Sequence, residues 1–270
     1  MSYSSPEDPI GLFDSGVGGL TIFREIAKML PNEHLIYLGD TARLPYGDKS
    51  KETVVRYSLQ NAQFLIRKKI KLLVVACFTA SSHALEILKE QMPIPVFGMM
   101  QSGLEEIASL KGSERIAILG TAGTIQSGIL QSLIQTRFSN ATIFPVACPL
   151  FVPLIEEGLL DHPATQLIAR HYLLPLKKEK INTALLACTH YPLVRPAIQE
   201  VLGPQVHLIE PAERCSIAVR DWLTSHRLLN PQAICGDHQF YTTDKPDKFR
   251  HLTTLFLGSD IQTIAKTEIF

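Results

Sequence analysis

Short apolar runs alternate with amphipathic stretches along this chain. Residues 10–13 (IGLF) predict a strand, 14–19 a tight turn, and 20–30 a helix that Pro31 stops. Residues 34–38 predict a second strand, 40–49 (DTARLPYGDK) a loop of turn residues, and 51–69 a helix. Residues 72–77 read as a buried strand with a helix after it, and 95–97 as a short strand. The pattern restarts near residue 114. A strand over 115–119 leads into a Gly/Thr-rich stretch, a helix over 125–138 and a strand over 142–147. A helix over 163–174 sits between Pro163 and Pro175, and a strand over 183–188 follows. The tail predicts one more helix over 215–228 and a strand near 239–242.

Strands alternating with helices indicate an α/β protein with doubly wound, mostly parallel sheets. The restart indicates two similar lobes: 1–98, completed by the returning tail 209–270, and 99–208. In such folds ligands sit at the carboxyl ends of strands. Asp14, Asp40, Cys77, Thr121, Cys148 and Cys188 all fall at or just after predicted strand ends.

Composition narrows the function. The chain has 270 residues, 46% apolar and 19% charged, which suits an ordinary globular core. Its 26 basic residues equal its 26 acidic ones, so charge gives nucleic-acid binding no support. The polar opening MSYSSPEDPI does not read as a signal peptide, and no apolar run approaches the ~20 residues of a membrane helix. Five cysteines without a CxxC pair argue against a disulfide framework or a structural zinc site. A reducing, cytoplasmic setting is expected, and thiol chemistry would need one.

Two cysteines carry the chemical signal. Cys77 ends KLLVVAC and Cys188 ends TALLAC; each follows Ala, precedes a Thr within two residues, and leads into an expected helix start. Buried structural thiols are common. Two in near-duplicate settings instead suggest two reactive groups facing one pocket from opposite sides. A reaction that removes a proton from one face of a carbon and returns one to the other needs that arrangement. A thiol serves as a base only where its surroundings favour the thiolate, as a helix N-terminus does.

Other residues fit around them. Asp14 is either a helix cap or a carboxylate that steers a proton or holds an ammonium group. The glycines at 16, 18 and 19 do not have the GxGxxG spacing, and Asp14 would repel phosphate. His190, two residues after Cys188, more naturally tunes a thiol than binds metal. Glu156-Glu157 reads either as a solvated helix start or as part of the site. Ser15, Thr79, Thr121, Thr124 and Thr189 are small hydroxyls that cap helices or, with backbone N–H groups, cage a carboxylate. Gly47, beside Tyr46 in the loop with Pro45, allows backbone to approach a ligand. Cys148, Cys215 and Cys235 read as structural.

In chain order, GLFDSGVGGLT, YLGDTARLPYG, VVAC-x-TASS, ILGTAGTIQS, ACPLFVPLIEEG and LLACTHYPLVRP closely resemble the glutamate racemases of the Asp/Glu racemase family. The resemblance runs from residue 10 to about residue 210. It implies cofactor-independent exchange of L- and D-glutamate, supply of D-glutamate to peptidoglycan synthesis, a homodimer, and two lobes of pseudo-two-fold symmetry with the site in the cleft. By position it makes Cys77 the thiol for the D-enantiomer, assisted by Asp14. Cys188 becomes the thiol for the L-enantiomer, assisted by Glu156 and His190. It places Asp14, Ser15, Pro45, Tyr46, Gly47, Phe78, Thr79, Thr189 and His190 at the substrate, with Thr121 and Thr124 lining the same pocket, and no metal.

Phe78 departs from the pattern. The family usually has Asn directly after the first cysteine, and Asn can donate to a carboxylate and accept from an ammonium group; Phe does neither. That departure opens the alternatives of another small acid, such as aspartate, or a binding protein with weakened catalysis. Glu210, where family members usually carry Asp, is a smaller departure.

Overall fold

The computed structural model describes residues 5–110, 114–233 and 235–269. The first four residues of the polar opening segment lie outside them. In chain order the elements begin β1 (Ile10–Asp14), α1 (Leu20–Met29), β2 (Leu35–Gly39), α2 (Lys51–Arg67), β3 (Leu72–Val75), α3 (Phe78–Gln91), β4 (Val96–Gly98) and α4 (Met99–Ser109). The second series runs β5 (Arg115–Gly120), α5 (Ala122–Gln126), α6 (Ile129–Arg137), β6 (Thr142–Ala147), α7 (Phe151–Glu156), α8 (Pro163–Leu173), β7 (Thr183–Ala187), α9 (Arg195–Leu202) and β8 (His207–Ile209). The tail adds α10 (Ala212–Ser225), β9 (His238–Thr242), α11 (Pro246–Leu257) and β10 (Ala265–Lys266).

These strands form two wholly parallel sheets, ordered β10-β9-β2-β1-β3-β4 and β6-β5-β7-β8. The stretch β2-β1-β3-β4 has the same internal order as β6-β5-β7-β8. Every residue of β1, β2, β3 and β7 is buried, as parallel strands covered by helices on both faces require. Strand β6 sits at a sheet edge, where Pro145 costs no central ladder bond. In each sheet the chain leaves its first strand one way to the second and the other way to the third. The carboxyl ends of the first and third strands therefore border a topological switch point. Cys77 follows β3 there, and Cys188 follows β7.

The structure differs from the sequence expectation at several points. The helix expected over 125–138 is two helices, because Gly128 adopts a left-handed conformation (φ 68°) that breaks the ladder. Helices α4, α7 and α11 and strands β8 and β10 are not predicted by the pattern, and α9 begins later than the helix start expected after Cys188. All four of these helices have Pro or Gly within or beside them, which obscures a periodic signal.

At the end of the first sheet away from the site, Lys71 is fully buried, and its Nζ lies 2.5 Å from Glu33 Oε2. The same ammonium donates to the carbonyls of Pro6 (2.5 Å) and Leu228 (2.8 Å), and Glu33 Oε1 accepts the Asn230 N–H at 2.8 Å. This cluster ties the entry to β3 to the turn after α10. Removing one partner of a buried pair leaves an uncompensated charge, so Glu33→Gln is expected to lower unfolding free energy by about 3–5 kcal/mol. Urea denaturation checks this: the midpoint should fall with an unchanged slope, and an apolar Glu33→Leu/Lys71→Met double variant should recover most of the loss.

Candidate active site

The site is assembled at the carboxyl ends of the two sheets. A cavity of about 30 Å³ is lined by Ser15, Pro45, Tyr46, Gly47, Cys77, Phe78, Thr79, Thr121, Val152, Ala187, Cys188, Thr189 and His190. Nine of the residues the sequence reading named for substrate thus share one cavity wall with both cysteines. Asp14, Thr124 and Glu156 do not line it; each stands behind a residue that does. Val152 and Ala187 line it without having been singled out, because nothing in their side chains carries chemistry. Among the described residues no Lys or Arg lines this cavity.

Cys77 is the N-cap of α3, and its Sγ accepts the Ala80 N–H at 3.4 Å. The thiol also approaches Ser15 Oγ at 3.9 Å. Asp14, at the end of β1, is fully buried, and one carboxylate oxygen accepts the Gly16 N–H at 2.9 Å while the other has no hydrogen-bond partner among the described residues. Asp14 does not cap α1; Gly19 occupies the N-cap position.

The expectation of a helix start after each cysteine holds for Cys77 alone. Cys188 is followed by a short 3-10 turn (Tyr191–Val194), and α9 begins only at Arg195. Near Cys188 the neighbour is His190: Nδ1 lies 4.0 Å from the Cys188 Sγ, and Nε2 lies 3.1 Å from Glu156 Oε1. Glu156 is the last residue of α7, not a helix start. Glu157, beside it, is exposed. The His190 ring also meets Phe256 of α11 edge-on, with centroids 5.2 Å apart.

Burial overrides the helix-terminus effect at Cys77 and dominates at Cys188 as well. Desolvation, then the negative charge of Asp14, pushes Cys77 up to about 12, against the opposing hydrogen bonds from Ala80 and Ser15. Desolvation likewise raises Cys188 well above the ordinary thiol range, opposed by backbone N–H groups of His190 and Tyr191. Burial also raises Asp14, with His190 and the N–H groups of Gly16 and Gly19 pulling the other way. Burial therefore favours the thiol form of both cysteines. The helix N-terminus expected to favour thiolate is present at Cys77, and desolvation outweighs it there.

Three hydroxyls join the two halves of the wall. Thr79 Oγ1 lies 2.8 Å from Thr121 Oγ1 and 3.2 Å from Thr124 Oγ1, and the latter two are 3.0 Å apart. Thr121 also caps α5 through the Thr124 N–H. Tyr46 is held by donating its hydroxyl to Asp40 and accepting from Asn61 Nδ2 at 3.0 Å. Asp40 in turn accepts from Arg43 Nε and from Thr243 Oγ1. Asn61 and Thr243 come from distant segments, which no local spacing signals.

Phe78 is buried and lines the cavity. Glu210 pairs with Arg195 at 2.5 Å, outside the cavity lining. Cys148 and Cys215 are buried as expected, whereas Cys235, expected to be structural, is exposed. No group of three or more His, Cys, Asp or Glu gathers as a metal site among the described residues.

The wall closes because Gly18 has no side chain. A Cβ there would lie 2.2 Å from Thr189 Oγ1 and 2.4 Å from His190 Nδ1. Thr21 Oγ1 donates across the same seam to the Thr189 carbonyl at 3.2 Å. Gly18→Ala is expected to displace Thr189 and His190 and lower any turnover at this site by about 10²-fold. Far-UV circular dichroism should be unchanged, and a Gly18→Ala chain as active as the wild type would refute the tight seam.

This geometry has counterparts among known proteins. A model of the Asp/Glu/Hydantoin racemase family matches residues 10–215. Glutamate racemase of Geobacter metallireducens is 44% identical over 264 residues, covering 98% of each chain. The crystal structure of glutamate racemase from Francisella tularensis in complex with D-glutamate superposes with TM-score 0.92 at 35% identity, covering 98% of each chain. That from Thermus thermophilus in complex with beta-chloro-D-alanine superposes with TM-score 0.88 at 40% identity and the same coverage. With the match spanning both sheets and both cysteine-bearing strand ends, this chain belongs to the Asp/Glu/hydantoin racemase family.

Proposed function

We propose that this chain interconverts L- and D-glutamate by a two-thiol mechanism. The observation that carries the reading is the placement of Cys77 and Cys188 after topologically equivalent strands, β3 and β7, on the wall of one cavity. The full-length similarity to proteins named glutamate racemase, one of them holding D-glutamate, supports glutamate over aspartate or a purely binding role.

In the D-to-L direction, the Cys77 thiolate takes the α-proton, leaving its electron pair on the α-carbon. The Cys188 thiol then donates its proton to the opposite face. The reverse direction exchanges the roles. Asp14 exchanges a proton with Cys77, and the His190–Glu156 pair does so with Cys188. The substrate ammonium group, once in the cavity, lowers both thiol pKa values, opposing the burial that holds them high. Thr79, Thr121, Thr189 and the backbone N–H groups at the two strand ends supply neutral donors for the carboxylates and the developing carbanion. Substrate filling the cavity displaces the water that would otherwise quench the carbanion on either face.

The D-glutamate product would feed peptidoglycan synthesis, as the family resemblance implies. We also propose that the chain works as two lobes, 1–98 with 209–270 and 99–208, in a homodimer. A cytoplasmic setting is supported by the chemistry, since a reducing compartment keeps both thiols free. Among the described residues no helix is long and apolar enough to cross a membrane.

Polarimetric assay of L- and D-glutamate, with α-proton exchange in heavy water followed by NMR, tests the reaction. Racemisation should occur in the wild type and fall by about 10²–10⁴-fold in each of Cys77→Ser and Cys188→Ser. Full activity in either variant would sink the two-thiol mechanism.

Because thiolate is the reactive form, iodoacetamide should label Cys235 first in the free protein at pH 7.5. With Cys77 held up to about 12, its labelling should rise about tenfold per pH unit from 7 to 10. Peptide mass mapping reads this, and rapid labelling of Cys77 at neutral pH would contradict the burial argument.

Phe78→Asn adds a group able to hydrogen-bond a charged substrate, so KM for glutamate should fall by about ten- to a hundredfold. An unchanged or higher KM would show that other donors already satisfy the substrate.

A further inference from the structure

The inner cavity, at about 30 Å³, holds about two waters and not a five-carbon amino diacid. Substrate must therefore reach it by movement of part of its wall. One part of that wall separates it from a second, larger space. A cavity of about 230 Å³ is lined by Val17, Thr41, Leu44 and Glu156 and by α11 residues with the turn before it, including Lys245 and Lys248. It continues outward into a groove of about 570 Å³ that shares Glu156, Lys248 and Leu252. The partition is thin. Leu44 and Val17 of the outer cavity are near sequence neighbours of Pro45 and Ser15 of the inner one. Glu156, on the outer side, holds His190, on the inner side.

The outer cavity offers what the inner one lacks, which is cationic side chains. Of its two acids, Glu156 holds His190, and Asp244 lies 3.4 Å from Lys266 in a partly exposed pair. Lys248 approaches only the exposed Glu157, at 4.0 Å, a distance that cancels little charge in water. Lys245 has no carboxylate within ion-pair distance among the described residues, and it holds a left-handed backbone (φ 41°) that favours Gly or Asn. Its side chain thus occupies a position where backbone preference would select another residue.

We propose that this outer cavity is a docking site for the amino-dicarboxylate substrate, where Lys245 and Lys248 draw in the anion before the Glu156–His190 partition moves aside. The proposal rests on the glutamate reading above. It assigns the two lysines to substrate capture and leaves the chemical step to the inner cavity. Capture by charge affects the encounter, so it acts on kcat/KM and is weakened by salt, while kcat stays as it is.

The test is a Lys245→Asn/Lys248→Gln variant of the full chain, in which Asn suits the left-handed backbone. At low ionic strength, kcat/KM for glutamate should fall by about three- to tenfold with kcat unchanged, and the gap should close in about 0.5 M salt. Lys245→Arg/Lys248→Arg should restore the wild-type values. Equal kcat/KM in all three proteins at every ionic strength would overturn the proposal. Backbone amide shifts during an L-glutamate titration separate this proposal from the racemase reading. Shifts at residues 244–252 that vanish in the Asn/Gln variant support the outer site even in a protein that does not racemise glutamate. Shifts confined to the inner cavity, in a protein that does racemise it, would overturn the outer site alone.

Discussion

Everything at this site depends on how closely two backbone segments approach. The turn after β1 and the segment after β7 meet where Gly18 leaves no room for even a methyl group beside Thr189 and His190. That contact sets the width of the cavity, and with it the environment of both thiols. The Thr21 hydroxyl bridging to the Thr189 carbonyl and the shared hydroxyls of Thr79, Thr121 and Thr124 fasten the same seam at other points. The Thr21 bridge and the two contacts of Thr79 join the first sheet's surroundings to the second's. The site is a property of the junction and belongs to neither sheet alone.

The tightness of the junction has an electrostatic cost that the proposed chemistry can use. Removing water from around two thiols and a carboxylate disfavours every charged form, so Cys77, Cys188 and Asp14 all shift upward. A lone helix N-terminus at Cys77 is too weak to reverse this, since its dipole contributes about 0.3–1 kcal/mol. A cationic group arriving with the substrate changes the balance much more, because the same low polarity that penalises an isolated thiolate strengthens its attraction to an ammonium group. The cavity therefore couples the basicity of its thiols to occupancy. Phe78 belongs to the same balance: it contributes apolar surface to the wall where a polar residue would offer a hydrogen bond.

The resemblance of one half of the chain to the other extends to the order of strands. In both sheets the cysteine follows the strand that lies on the far side of the first strand from the second. Duplicate topology brings duplicate chemistry to the same edge, and the two copies differ in what supports the thiol. Cys77 has a helix N-terminus and Asp14; Cys188 has a 3-10 turn and the His190–Glu156 pair. The supporting side chains come from different relative positions in the two halves, which suits the proposed approach of the two thiols to one carbon from different directions.

The sequence by itself determined the alternation of strands and helices, the restart of the pattern and the strand-end positions of Asp14, Cys77, Thr121 and Cys188. These depend on local hydrophobic runs and on the turn residues that end them, both written in consecutive positions. It also showed Phe78 as the residue out of pattern. Only the tertiary structure decided that Glu156 closes a helix and reaches His190, that Phe256 of an unanticipated tail helix packs on the same ring, and that Asn61 and Thr243 belong to the network behind Tyr46. Those contacts join residues 15 to about 200 positions apart and leave no periodic trace. The tertiary structure also decided the burial that raises both thiols, because a pKa is set by the water and charge around a group, and no stretch of sequence specifies how completely another segment will exclude that water.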